Sequence, residues 1–301
     1  MSMCEMQACL ARLYVDDLFR RLVYLDPAGT LEGYRLTPEE SAALQGLNHE
    51  MLVLFAQSLK SKRKKRIERA FPLLFALDRA EVDRYFVRYY QLHPAKPHQS
   101  GHEDALAFGA FMAESLVHAE RLPAFASDLA RYEFLFYGAS FATASSPVSK
   151  PPSGGDGAAI AEALGPFSRP GVCAGAELAR FTHDVVAIEE AIQKGMRPED
   201  IEIQPRNGFI VFRPAATGLE ASMMRVNAPT KVVFELCDGR RTVTSIVEET
   251  ESILRAEGLA ERVLETIRRL LAARVLTLDP ALTRALSVQQ LAYGAAQAES
   301  L

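Results

Sequence analysis

The spacing of apolar residues changes character about halfway along the chain. Up to about residue 142 they recur every three or four positions, which lines one face of an α-helix. Tyr14, Leu18, Leu22 and Leu25 follow that spacing, and Asp26-Pro27 with Gly29 ends it. Thr37-Pro38-Glu39-Glu40 reads as a helix start. Its threonine oxygen accepts an orphan N–H, its proline has no N–H to lose, and two carboxylates face the positive end of the helix dipole. Further helices are predicted over 49–69, 79–91, 103–117 and 122–142, with Asp104 opening the 103–117 helix and Pro123 the 122–142 helix. No alternating strand pattern interrupts them, so an all-α bundle is expected over residues 1–142.

Residues 143–158, ATASSPVSKPPSGGDG, carry no apolar period and read as a linker or long loop. Beyond it, Leu178 to Val186 and Ile201–Ile203 read as short strands around an amphipathic helix at 187–195. Gly208 to Phe212 is rich in β-formers and bounded by Asn207 and Pro214, the profile of a strand after a tight turn. Ser222–Asn227 is the next candidate strand. Three helices then follow closely. The first has Pro229, Val232, Val233 and Leu236 on one stripe and stops at Asp238-Gly239. The second starts near Thr242 and carries Val243, Ile246, Val247, Ile253 and Leu254. The third places Ala260, Val263, Leu264, Ile267, Leu270 and Leu271 on one face. A strand over Val275–Leu278 closes the run. The fold class expected is therefore α+β, mainly α: an N-terminal helical bundle, then a small winged helix-turn-helix within residues 159–301. To which part residues 159–205 belong is left open by the pattern.

Composition adds little beyond a soluble globular balance, with 49% apolar and 24% charged residues. The formal charge of −4 gives the whole molecule no reason to seek a polyanion. No apolar run is long enough to span a bilayer, and Glu5 and Arg12 interrupt any export signal, so a cytoplasmic protein without membrane contact is expected. Cys4, Cys9, Cys173 and Cys237 form no C-x-x-C pair and are expected to be reduced, buried as small apolar groups.

Two sets of residues carry a resemblance. In the back part, Arg225-Val226-Asn227-Ala228, Phe234-Glu235-Leu236-Cys237-Asp238-Gly239, Arg241-Thr242-Val243 and Ile246-Val247 resemble the PqqD-type recognition element of ribosomally made, modified peptides (RiPPs). That element is a small winged helix that binds leader peptides. Its progression is L-N-x…L-x-D-G-x-x-T-v-x-x-I, and Val226 stands here where leucine is usual. In the front part, Arg69-Ala70-Phe71-Pro72, Tyr89-Tyr90, Asp104…Phe108…Phe111 and Pro123…Asp128-Leu129-Ala130-Arg131-Tyr132-Glu133 are similar to the helical domain of another group. These are the partner proteins of TIM-barrel multinuclear iron oxidases, the methanobactin partner among them. Leu25-Asp26-Pro27 through Tyr34-Arg35-Leu36-Thr37-Pro38-Glu39-Glu40 also resembles helical LigA-like accessory subunits. In order and size the two halves are most similar to the TglI-like partners of 3-thiaglutamate biosynthesis.

The resemblance implies a non-catalytic subunit in a heterodimer with a TIM-barrel iron oxidase. This chain would hold no cofactor, the iron belonging to the oxidase, which removes the β-carbon of the C-terminal cysteine of a carrier peptide. It also implies where the leader of that precursor peptide lies: beside the strand Met223-Met224-Arg225-Val226, with the 260–272 helix as the opposite wall and Arg262, Thr266 and Arg269 facing the peptide. On that reading apolar leader side chains settle near Met223 and Val226, while Arg225, Arg262 and Arg269 meet leader acids.

A winged helix also suits a DNA-binding transcriptional regulator. Such a domain needs positive charge, yet residues 201–280 contain eleven Lys or Arg and eleven Asp or Glu. The balance argues for peptide over nucleic acid. Of the remaining candidates, His93, His98 and His102 with Glu103 and Asp104 resemble a ligand cluster, but Pro94 and Pro97 predict an extended polar loop without fixed geometry. His49, His118 and His183 stand apart and are expected to be structural. The basic run Lys60 to Arg69 reads as a solvated helix end, a nucleic-acid or acidic-surface site, or a patch steering an acidic oxidase or leader.

Overall fold

In the computed structural model the residues described are 3–94, 99–141, 164–215 and 220–278, with the side chain of His118 excepted. The expected linker at 143–158 therefore lies outside the described residues, as does His98. The fold is mainly helical with small sheets. The chain divides into two compact units, Met1–Phe134 with Val186–Glu202, and Leu135–Val185 with Ile203–Leu301.

The first unit is built from helices α1 (Met3–Val15), α2 (Asp17–Leu25), α3 (Pro27–Leu31), α4 (Pro38–Gln45), α5 (His49–Ala70), α6 (Pro72–Leu77), α7 (Arg79–Leu92) and α8 (Gly101–Ser115). The first part of α9 (Ala126–Phe141) and nearly all of α10 (Val185–Gln193) complete it. Its centre is aromatic. Phe108 lies 5.3–6.3 Å, centroid to centroid, from Phe71, Phe75, Phe86 and Tyr89. Gly109 lets that packing close, because a Cβ there would meet the Phe71 ring at 2.6 Å. A satellite core of Cys9, Leu13, Phe19, Val23, Leu31 and Leu44 ties α1 through α4 together.

Local signals set several of these helix starts. Thr37 accepts from the N–H of Glu40 while Glu40 accepts from that of Thr37, a closed capping box. Other expectations need correction. Tyr14 to Leu25 is not one helix, because Asp16 caps a new one by accepting from the Phe19 N–H. The stripe with that spacing faces outward in α2, where Leu18 is 67% and Leu25 77% exposed, while Phe19, Arg20 and Val23 turn inward. Asp26-Pro27 does end the helix at Leu25, and the same Asp26 then caps the short α3 by accepting from the Gly29 N–H. Asp104 does not open α8. Ser100 caps it, in a second capping box with Glu103. Pro123 precedes α9, which begins at Ala126.

The second unit holds strands β1 (Pro170–Val172), β2 (Glu177–Phe181), β3 (Gly208–Arg213), β4 (Ser222–Val226) and β5 (Leu276–Leu278). Helices α11 (Ala228–Leu236), α12 (Val243–Leu254) and α13 (Ala260–Ala272) lie between β4 and β5 in the chain. Strands β2, β3 and β4 form an antiparallel sheet in that order, and β1 pairs antiparallel with β5. The predicted strand from Leu178 ends at Phe181, since Val185 already begins α10; Ile201–Ile203 forms no strand. Strand β1 has no counterpart among the expected elements.

One face of β3 and β4 contributes Val211, Met224 and Val226 to a core with Val233, Phe234, Leu236, Val243, Ile246, Val263, Ile267, Leu270 and Leu271. Cross-strand partners share a face, so Ile210 and Phe212 lie on the other side with Ala179 and Phe181. All four are buried. Burial on both faces explains why Phe209 to Phe212 reads as a continuous apolar run rather than an alternation.

Candidate functional site

The residues that carry the PqqD-type pattern shape the backbone. Asn227 accepts from the Thr230 N–H at 2.9 Å and so caps α11; Thr242 accepts from the Ser245 N–H and caps α12. Between them Asp238 accepts from the N–H groups of Arg240 and Arg241 at 2.8 and 3.0 Å. Desolvation raises the exposed Asp238 carboxyl, but those bonds and the adjacent Arg241 guanidinium together hold it below its ordinary range. Arg241 bridges Asp238 at 2.6 Å and Glu249 of α12 at 2.9 Å, which locks the turn to the next helix. Gly239 adopts φ +77, and its N–H reaches the Pro170 carbonyl. A side chain is strained at that φ. The turn seats β1, where a Cβ on Gly171 would come within 3.3 Å of the Gly239 backbone.

The candidate peptide site starts at β4. It ends the sheet order, so among the described strands it is paired only with β3. Its side chains alternate. Met224 and Val226 turn to the helical core, while Met223 shares a face with its cross-strand partner Phe212, and Arg225 with Ile210. Met223 and Val226 therefore lie on opposite faces of β4, because an odd step along a strand reverses the face. Arg225 is half-exposed and already bridges Asp184 at 2.6 Å, a partner the sequence pattern did not suggest.

Helix α13 packs on α11, α12 and β5 rather than closely on β4, although helix and strand share one core. Arg262, Thr266 and Arg269 follow each other at four and three residues and form a stripe on its outer side. Both arginines are exposed and make no ion pair within the described residues. Thr266 is half-buried and donates its hydroxyl to the Arg262 carbonyl at 2.8 Å, which fixes its rotamer. The structure thus gathers Met224 and Val226 with the inner face of α13, and presents Arg262, Thr266 and Arg269 separately.

In the first unit the described residues of the histidine-rich segment take structural roles. Asp104 is buried against Arg63, and Glu103 closes the Ser100 capping box, which depresses its carboxyl. The His93 ring stacks on Tyr89 with centroids 4.8 Å apart. His102 is pushed below its ordinary value by burial. Among the described residues no three His, Cys, Asp or Glu side chains are grouped to hold a metal ion. His49 packs on Tyr24 at 4.2 Å, and the His183 Nδ1 lies 3.0 Å from the Thr182 hydroxyl.

All four cysteines are free. Cys9 and Cys237 are buried, and burial pushes the Cys237 thiol up to about 12, against thiolate chemistry. Cys4 is exposed, contrary to the expectation of burial. No described helix is long and apolar enough to cross a membrane. No protein-family model matches the chain, and no curated protein matches it.

Proposed function

We propose that this chain is a peptide-binding partner subunit. It takes the leader of a ribosomally made carrier peptide as an added strand along β4 and offers the peptide's C-terminal cysteine to a TIM-barrel iron oxidase. The observation that carries this reading is that β4 ends the sheet and, among the described strands, pairs only with β3, while Met224 and Val226 share a core with α13. Edge-strand addition needs unpaired backbone donors and acceptors beside pockets for alternate side chains. Leader side chains on one face would meet Met224, Val226 and the α13 side; those on the other would meet Met223. The order of strands β2 to β4, helices α11 to α13 and the closing β5 supports reading this unit as a winged helix-turn-helix. The resemblance then supplies the wider assignments: a non-catalytic role, iron held by the oxidase, β-carbon excision as in 3-thiaglutamate biosynthesis, and a cytoplasmic setting.

A DNA-binding regulator is the second reading. Arg262, Arg268 and Arg269 are exposed on α13, the observation in its favour. Glu261 and Glu265 on the same helix oppose it by diluting the charge that phosphates require.

A fluorescent leader peptide, taken from a short precursor encoded beside this chain, would test both. Provided its N–H faces the docking edge, Met224→Pro deletes an edge donor of β4 and should weaken leader binding more than Arg225→Ala or Arg269→Ala, whose exposed pairs contribute about 0–1 kcal/mol each. Circular dichroism checks that each variant folds. Undiminished leader affinity in folded Met224→Pro rules out strand addition. Duplex DNA binding that falls steeply with salt and needs Arg268 and Arg269 establishes the regulator instead.

A further inference from the structure

Helix α5 carries a surface that peptide binding leaves unused. Met51, Phe55, Ser58, Lys62, Lys65 and Arg69 follow one another at alternating steps of four and three residues, so they form a single stripe. All six are exposed. The stripe is apolar at its start, where Met51 is 63%, Leu54 59% and Phe55 50% exposed. It is basic at its end. Phe55 leans on Tyr14, with centroids 4.7 Å apart, yet keeps half its surface in water. Three large apolar side chains clustered outward on consecutive turns mark an interaction site rather than scattered surface residues.

The basic end is sorted by direction. Lys60, Arg63 and Lys64 turn toward the unit and pair with Asp17, Asp104 and Asp83. Lys62, Lys65, Arg66 and Arg69 have no ion pair among the described residues. A cleft beyond them is lined by Lys65, Glu68, Arg69, Pro72 and Arg79, where Arg79 already neutralises Glu68 at 2.6 Å. The cleft is therefore left with uncompensated positive charge from Lys65 and Arg69.

We propose that this stripe docks a protein partner presenting an apolar ridge that ends in a cluster of Asp or Glu. At 1.5 Å per residue the stripe runs about 27 Å from Met51 to Arg69, the scale of an ordinary interface. Its apolar half excludes water, and its basic half steers encounter and fixes direction. Nucleic acid would engage the cations and leave Met51, Leu54 and Phe55 in water. A second copy paired about a two-fold axis through Phe55 would leave both basic ends uncompensated. A helix lying on an anionic membrane carries its cations beside the apolar stripe, whereas here they follow it end to end. An acidic partner matches both halves. The proposal is independent of leader binding, whose residues lie in the other unit.

The test places a photo-crosslinking phenylalanine derivative at Leu54 of the full chain and irradiates it in extract of the source cells. Expected is one discrete protein adduct, cross-linked at an apolar segment next to Asp or Glu residues. Lys65→Glu/Arg69→Glu should cut it about ten-fold, by like-charge repulsion. Reversing the captured segment's acids to lysine should restore it with that charge-reversed chain. Circular dichroism and an unchanged denaturation midpoint show that the variants fold. The proposal is overturned by any of four results: no adduct; an adduct only to nucleic acid, lipid or a second copy; an adduct insensitive to charge reversal; or a loss that the reversed partner does not restore.

Discussion

Arg63 holds Asp104 with both prongs of its guanidinium, Nε 2.8 Å from Oδ2 and Nη2 2.6 Å from Oδ1. Both side chains are buried, and they join α5 to α8 across 41 positions of sequence. Nη2 also donates to the His93 carbonyl at the end of α7, and the Tyr89 hydroxyl donates to Asp104 Oδ1 at 2.8 Å. One residue of the basic run is thus the anchor for three helices.

Asp104→Ala should destabilise the first unit by about 3–5 kcal/mol, because it leaves a buried guanidinium unpaired. The double change Arg63→Met/Asp104→Leu should cost much less, since it removes both desolvated charges together. Denaturant unfolding of the two variants measures the difference. Equal losses would mean that packing, not charge, dominates this contact.

Glu133 makes the stability of the first unit depend on pH. Its carboxylate accepts from the N–H groups of Leu73 and Leu74, both at 2.8 Å, and so caps α6, whose own N-cap residue Phe71 offers no side-chain bond. Burial pushes the carboxyl up to about 8, against the pull of those two N–H groups, and Glu189 adds to the rise. A carboxyl raised in the folded state contributes stability that is full below the ordinary value near 4.5 and is lost as pH rises through about 8. Wild-type stability should therefore fall relative to Glu133→Gln between about pH 5 and pH 8, by up to about 1.4 kcal/mol per pH unit. Unfolding curves at four pH values check the slope. A constant difference between the two proteins would show that Glu133 stays ionised on folding.

The purified chain alone should contain well under one equivalent of iron or zinc by elemental analysis. Glu103 and Asp104 are committed to a helix cap and an ion pair, which removes both as ready metal ligands. His93→Ala and His98→Ala should not alter the metal content. Stoichiometric metal lost in His98→Ala would overturn the metal-free reading.

What the sequence determined by itself was local. The Thr37 capping box, the Asn227 and Thr242 caps, the Gly239 turn and the inner face of α13 each depend on residues within a few positions of one another. Their hydrogen bonds and periodicities are therefore written in short windows. Ser100 with Glu103 carried the same legible signature, although Asp104 was the residue singled out. Tertiary structure alone decided the rest. Leu18, Leu22 and Leu25 have helical spacing as good as that of their buried neighbours, and only the placement of α1, α3 and α4 turns Phe19 and Val23 inward. Asp104 beside Arg63, Glu133 over α6 and Arg225 against Asp184 are contacts across 41 to 60 positions. A charged residue looks the same in sequence whether it meets water or a buried partner. Which of the two it meets depends on how distant elements pack.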